Sequence, residues 1–281
     1  MSTVRKFIKL FQALSFDVAL GGAIGTLFVS KYVGVNISVF TLLELTVCIW
    51  LIYTLDHLLD AGTKYPEPVT FRHRYHWKNS TIIWSIWSFL LIAAFSFLFL
   101  LPKMTLVYGS IVALIVCVYF ISIRLLKGDL VYHKEFIVAI VYSTGIFVGP
   151  MSIYSESVTW DIWALFIEYT ALALINLILF SIYEKHIDRV ERFHSLVISM
   201  GQRKVIIIVW ILLLLIFSTS IILISLDPRN ISMVRSQVII ITMNFILLLI
   251  LIMRNFFEKN QRYRTIADAV FFVPLLFLIN W

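Results

Sequence analysis

Charge is scarce in this chain. Of 281 residues, 14% are charged and 61% are hydrophobic. A water-soluble domain carries far more charge, and no polar block is long enough to fold as one, so the composition excludes a soluble globular protein. Cysteine is nearly absent. Cys48 and Cys117 both lie inside apolar runs, which excludes a disulfide framework and a thiolate metal centre. Long polar loops are few, and the basic excess of +7 is dispersed among apolar segments rather than gathered on a soluble module, so nothing points to nucleic acid.

What is present is a recurring apolar run of about 20 residues, the length that crosses a bilayer. Nine spans are expected, near 10–33, 37–60, 81–101, 104–126, 134–154, 160–183, 204–226, 234–254 and 265–281. They must be helices, because barrel strands would alternate in polarity rather than run continuously apolar. The expected fold is therefore an all-α polytopic membrane helix bundle forming one transmembrane domain. A weak internal echo divides it into two four-helix halves, 10–126 and 134–254, followed by a ninth helix, 265–281. Gly21 and Gly25, four apart, suit close helix contact. Arg5 and Lys6 precede the first apolar run, but Asp17 interrupts it and no small-residue cleavage site follows, so it reads as a retained span.

Sorting Lys and Arg by side gives nineteen at the N-terminus and in the loops after spans two, four, six and eight. Only Lys31, Lys103, Arg229 and Arg235 fall on the other side. The positive-inside rule places the larger group, with the N-terminus, in the cytoplasm and the C-terminus outside. Short loops and this asymmetry suit a bacterial inner membrane. All six histidines fall on the basic side.

Two apolar runs end there in acid pairs. The second span closes on Asp56 and Asp60, the sixth on Glu184 and Asp188. Spacing of i, i+4 puts both carboxylates of a pair on one helix face. Acids at a helix C-terminus oppose the macrodipole and sit there at a local cost. Two such pairs brought together need a cation, and Mg2+ would bridge them to the oxygens of a phosphate ester. Asp56, Asp60, Glu184 and Asp188 are thus the candidate catalytic and metal-ligating residues. The Arg72-His73-Arg74 cluster is a candidate diphosphate contact, although a topology-setting basic loop explains any one of its members equally well. Asn176, eight residues before Glu184 on about the same face, is a candidate groove residue, as is Tyr53. Arg264 and Asp268, one turn apart, are expected to pair. Glu44 and Glu168 lie farther from the basic end and could line a groove or pair with each other.

This pattern resembles the UbiA superfamily of intramembrane prenyltransferases. Glu184, Asp188, Ser195 and Gly201 keep the spacing of its second motif, with Glu in the first place. Asp56 and Asp60 match part of the first motif, but Ile52 and Tyr53 stand where the family has Asn-Asp. The stretch Tyr119 to Lys127 resembles the tyrosine and basic residues that end the fourth helix. The resemblance makes Arg124 and Lys127 diphosphate ligands and Tyr119 a groove candidate. It implies an Mg2+-dependent transfer of an isoprenoid chain from a polyprenyl diphosphate to a hydrophobic or aromatic acceptor. The substitutions keep open a non-catalytic UbiA-like lipid- or quinone-binding protein or complex subunit. A di-iron enzyme needs clustered histidine boxes, and here His73-x-x-His76 stands with four scattered histidines. A transporter would place its site at the midplane, not at one face.

Overall fold

A computed structural model describes residues 3–62, 70–125, 134–191 and 195–279, and these are helical almost throughout. Helix α1 (Thr3–Ala13) meets α2 (Phe16–Tyr32) at a sharp bend. Then come α3 (Val39–Gly62), a short α4 (Phe71–Lys78), α5 (Ser80–Phe97) and α6 (Lys103–Leu125). The second part has α7 (Lys134–Ile153), α8 (Trp160–Glu191), α9 (Leu196–Met200), α10 (Gln202–Leu226) and α11 (Ile231–Ile252). The chain closes with α12 (Arg254–Glu258), α13 (Arg262–Ala269) and α14 (Leu275–Ile279).

Among the described residues, seven helices are long and apolar enough to cross a membrane, and the bent α1–α2 pair makes an eighth. The protein is an integral membrane bundle. Two expected spans differ from their sequence reading. The first breaks at Ser15, whose φ of 56° is left-handed, and the two helices turn by 71° there. Asp17 does not merely interrupt the run: it sits in the first turn of α2, where a carboxylate suits the positive end of the helix dipole. The ninth span is not one continuous helix. A 3-10 turn at Val270–Phe272 separates α13 from α14, and Pro274, which has no N–H to donate, stands at the junction.

Helix α8 is the axis of the bundle. Two thirds of its apolar window is buried (67%), against 11% for α5 and for α6. Its neighbours are α7, α10, α11 and α13, while α7 also packs on α2 and α6. The outward faces of α5 and α6 carry Phe89, Ile92, Phe95 and Leu114, all exposed to where lipid would lie. Trp160 and Trp163 are exposed at the start of α8, as an interfacial belt requires.

Small and polar residues hold the interior together, because lipid supplies no hydrophobic drive between helices. A Cβ on Gly21 would lie 2.9 Å from Cβ of Phe271, and one on Gly25 would lie 2.5 Å from the Tyr169 hydroxyl, so both glycines are close-contact positions as expected. Thr26 donates to the Ile146 carbonyl (3.1 Å), tying α2 to α7. Glu168 accepts from Ser220 (3.1 Å) and Gln237 (3.0 Å), tying α8 to α10 and α11. Glu168 is thus a helix bridge and does not pair with Glu44, which instead accepts a weak contact from Cys48 at 3.5 Å.

Candidate functional site

At 1.5 Å per residue the 32 residues of α8 span roughly 48 Å, well beyond the hydrocarbon core. Its last turns therefore carry Glu184 and Asp188 toward the membrane boundary. Glu184 is buried, and both its carboxylate oxygens are occupied. Oε1 accepts from the Tyr263 hydroxyl (2.9 Å) and Oε2 from Arg264 Nη2 (2.5 Å), both on α13. The Tyr263 ring is itself fixed by stacking on Tyr183, with centroids 4.3 Å apart and planes 6° from parallel. Asp188 lies against the Ser195 side chain, which precedes α9.

The first acid pair ends α3. Lys134, the first residue of α7, reaches both oxygens of Asp56, at 3.1 and 3.0 Å. Between the two acids stands His57, buried, whose Nε2 lies 3.1 Å from Arg72 Nη1. Guanidinium can only donate, so Nε2 accepts and the proton of His57 resides on Nδ1. Arg72 belongs to α4, which Thr70 caps by accepting from the His73 backbone N–H at 3.3 Å. His76 Nδ1 donates back to the Arg72 carbonyl at 3.0 Å. The rings of His73 and His76 flank His57, with centroids 5.9 and 5.3 Å away. Burial pushes the His76 imidazole down to about 4, with Arg72 and His73 adding repulsion against the backbone bond that favours the proton.

Two adjacent residues join the motifs. Lys134 holds Asp56, while Glu135 accepts from Ser181 of α8 (3.0 Å) and from the Leu196 backbone N–H of α9 (2.8 Å). The start of α7 is thus a clamp between the ends of α3 and α8. Arg72 lies between the same ends. Burial and repulsion from Arg264 hold its guanidinium below the usual arginine range, and Glu184, Asp268 and Asp17 partly offset this.

Beneath Arg72 is a cavity of about 80 Å3, lined among others by Asp17, Tyr53, Tyr142, Asn176 and Asp268. That is room for a few waters at roughly 30 Å3 each. Asn176 donates to Asp268 at 3.4 Å. Asp17 Oδ2 and Asn176 Oδ1 are buried without a hydrogen-bond partner among the described residues.

No family model matches the sequence, and no curated protein matches it. Two solved structures do match by shape. An apo UbiA homolog from Aeropyrum pernix K1 superposes with a TM-score of 0.63 at 12% identity, covering 96% of this chain and 98% of that one. A digeranylgeranylglyceryl phosphate synthase in membranes superposes with a TM-score of 0.53 at 14% identity, covering 96% and 95%.

The fold is UbiA-like.

In this UbiA-like frame the sequence candidates fall into three groups. Asp56, Asp60, Glu184, Asp188 and Arg72 lie at one end, with Asn176 and Tyr53 on the cavity just inside. Tyr119 lies close enough to Lys134 and Asp56 to interact electrostatically, and its buried hydroxyl lacks a partner among the described residues. Arg74 is exposed, on the far side of α4 from His76. Lys127 and the Arg124 side chain lie outside the described residues. Arg264 corrects one expectation: its ion pair is with Glu184, across the bundle, and Asp268 takes Asn176 instead. A buried carboxylate on another helix competes successfully against a partner one turn away, because the helix pair gains little from local spacing alone.

Sequence reasoning assigned no role to Lys134, Glu135 or Tyr263. The signal was there in part. Lys134-Glu135 opens an apolar run directly after a basic loop, and Tyr263-Arg264 opens the last helical segment. What the sequence does not carry is which acid each would meet. Among the described residues no group of three or more His, Cys, Asp or Glu side chains is arranged to hold a metal ion.

Proposed function

We propose that this chain binds an isoprenoid diphosphate at the acid- and base-lined end of the bundle and transfers the isoprenoid chain to a hydrophobic or aromatic acceptor. The observation that carries the reading is the position of the two acid motifs. They stand at the ends of α3 and α8 in a UbiA-like fold, drawn together by Lys134 and Glu135 with Arg72 between them. Arg72 would hold diphosphate oxygens, with His73 and Arg74 as further contacts and Arg124 and Lys127 as ligands implied by the resemblance. Arginine is suited to this because its fork of donors matches phosphate geometry. Departure of the diphosphate leaves an allylic cation, which aromatic faces such as Tyr53 and Tyr142 would shield from water. By the charge split, this end faces the cytoplasm, and the short loops suit a bacterial inner membrane.

The Mg2+ that the resemblance implies fits the residues poorly as they stand. It requires a near-octahedral set of oxygens at about 2.0–2.1 Å. Lys134 holds both oxygens of Asp56, and Tyr263 with Arg264 holds both oxygens of Glu184.

The same ion pairs favour a second reading, a UbiA-like protein that binds an isoprenoid lipid or quinone without turnover. The two readings part on product formation. The purified chain in nanodiscs would be given radiolabelled geranylgeranyl diphosphate with a panel of phenolic acceptors and a lipid extract. The transferase reading requires a labelled, organic-soluble adduct that disappears in Arg72→Ala. Saturable donor binding with no adduct from any acceptor would rule out transfer and leave the binding role.

A further inference from the structure

We propose that Lys134 and Arg264 are built-in counter-ions of the two acid motifs and that, together with Arg72, they take up a diphosphate directly, so that an isoprenoid diphosphate binds here without a divalent cation. This rests on the isoprenoid-diphosphate reading of the same site.

Each acid motif has its own cation. Lys134 Nζ bridges both oxygens of Asp56 at 3.1 and 3.0 Å, and Asp60 and Tyr119 also act on its charge. Arg264 and Tyr263 divide the oxygens of Glu184 between them. The Lys134–Asp56 pair keeps some exposure, 31% and 26%, whereas Arg264 and Glu184 retain 18% and 11%. The Arg264–Glu184 pair is the enclosed one, in which removing one partner would strand the other. A divalent ion bridging Asp56 to Glu184 would have to displace Lys134 from the first and Tyr263 or Arg264 from the second.

The positions around them point the same way. Ile52 and Tyr53 occupy the places where the resembled motif carries an amide and a carboxylate, so the first motif offers an ion fewer oxygens. Tyr53 faces the cavity instead. Meanwhile cations crowd the space between the motifs. Arg72 is enclosed, donates to His57 and is repelled by Arg264, with Glu184, Asp268 and Asp17 acting against that repulsion. An entering diphosphate would relieve it. Its oxygens would take donors from Arg72, Lys134 and Arg264, and the acids would hold those donors in place rather than hold a metal. Asp56 and Glu184 are positioning residues in this account.

The experiment measures binding of geranylgeranyl S-thiolodiphosphate to the full chain in nanodiscs, in EDTA and in excess Mg2+. The expected result is the same Kd in both buffers. Lys134→Met and Arg264→Met should each weaken it about tenfold, the equivalent of one charge-assisted contact at about 1.4 kcal/mol. Lys134→Arg should retain it, which separates lost charge from lost folding. Asp56→Asn keeps a carbonyl acceptor that positions Lys134 while removing the charge that competes with the diphosphate, and should bind as tightly as wild type or more so in EDTA. A metal-bridged site requires the opposite, loss in Asp56→Asn. Binding that appears only with Mg2+, or Met variants that bind like wild type in EDTA, overturns this inference and leaves the isoprenoid-diphosphate reading standing. No binding in either buffer, in protein that stays monodisperse, overturns both.

Discussion

Glu184 is satisfied from one side only. Tyr263 and Arg264 both come from α13, so one carboxylate takes two of the contacts that fasten the last helical segment to the axis of the bundle, beside the Asn176–Asp268 bond and the Tyr183–Tyr263 stack. Arg264→Met would leave Glu184 enclosed with one neutral donor, and breaking such a pair costs about 3 kcal/mol. Adding Glu184→Gln removes the stranded charge while keeping an acceptor for Tyr263. The double variant should therefore unfold at a higher temperature than Arg264→Met alone, a coupling that thermal denaturation in detergent would measure. Simple additivity of the two changes would contradict the ion pair.

His76 gives a pH dependence with a definite sign. Its imidazole is buried and depressed to about 4, whereas an unfolded chain would titrate near 6.5. Between those values the unfolded state binds the proton and the native state does not. The stability held above pH 6.5 is thus lost as pH falls toward 4. The acid limb of Tm against pH should be shallower in His76→Gln than in wild type. An unchanged limb would show that His76 is already protonated in the fold.

At the scale of elements, legibility followed the kind of signal. The spans were readable because hydrophobic length is a property of a run, and α3, α5, α6, α7, α8, α10 and α11 all fall where the runs lie. The bend at Ser15 was not readable, since a single left-handed residue leaves the apolar run on either side intact. The acid pairs were readable from i, i+4 spacing at helix ends. Their counter-ions were not, because Lys134 and Arg264 lie 78 and 80 residues from Asp56 and Glu184, and only tertiary packing decides such partners. Gly25 was legible as a contact residue, and the structure names its partner. Gly25→Ala would drive a methyl group to 2.5 Å from the oxygen of a fully buried Tyr169, and overpacking of this kind costs about 1–3 kcal/mol. Gly109→Ala, with nothing within 4 Å, should leave Tm unchanged. Equal effects at both positions would contradict the close approach of Gly25 to Tyr169.

The whole molecule is a lipid-embedded bundle whose ionisable groups are concentrated at one end, where α3, α4, α7, α8 and α13 converge. Glu168, an interior acid elsewhere, is consumed in bridging helices. At that end Arg72 lines a cavity, with Lys134 and Arg264 on the neighbouring acids, and this arrangement is what a charged head on an apolar tail would exploit. The decisive measurement is saturable binding of geranylgeranyl S-thiolodiphosphate to the chain in nanodiscs, with inorganic diphosphate as competitor. The account predicts saturable binding that inorganic diphosphate displaces and that Arg72→Ala weakens by at least about tenfold. A folded protein that binds neither this analogue nor its farnesyl counterpart would contradict it.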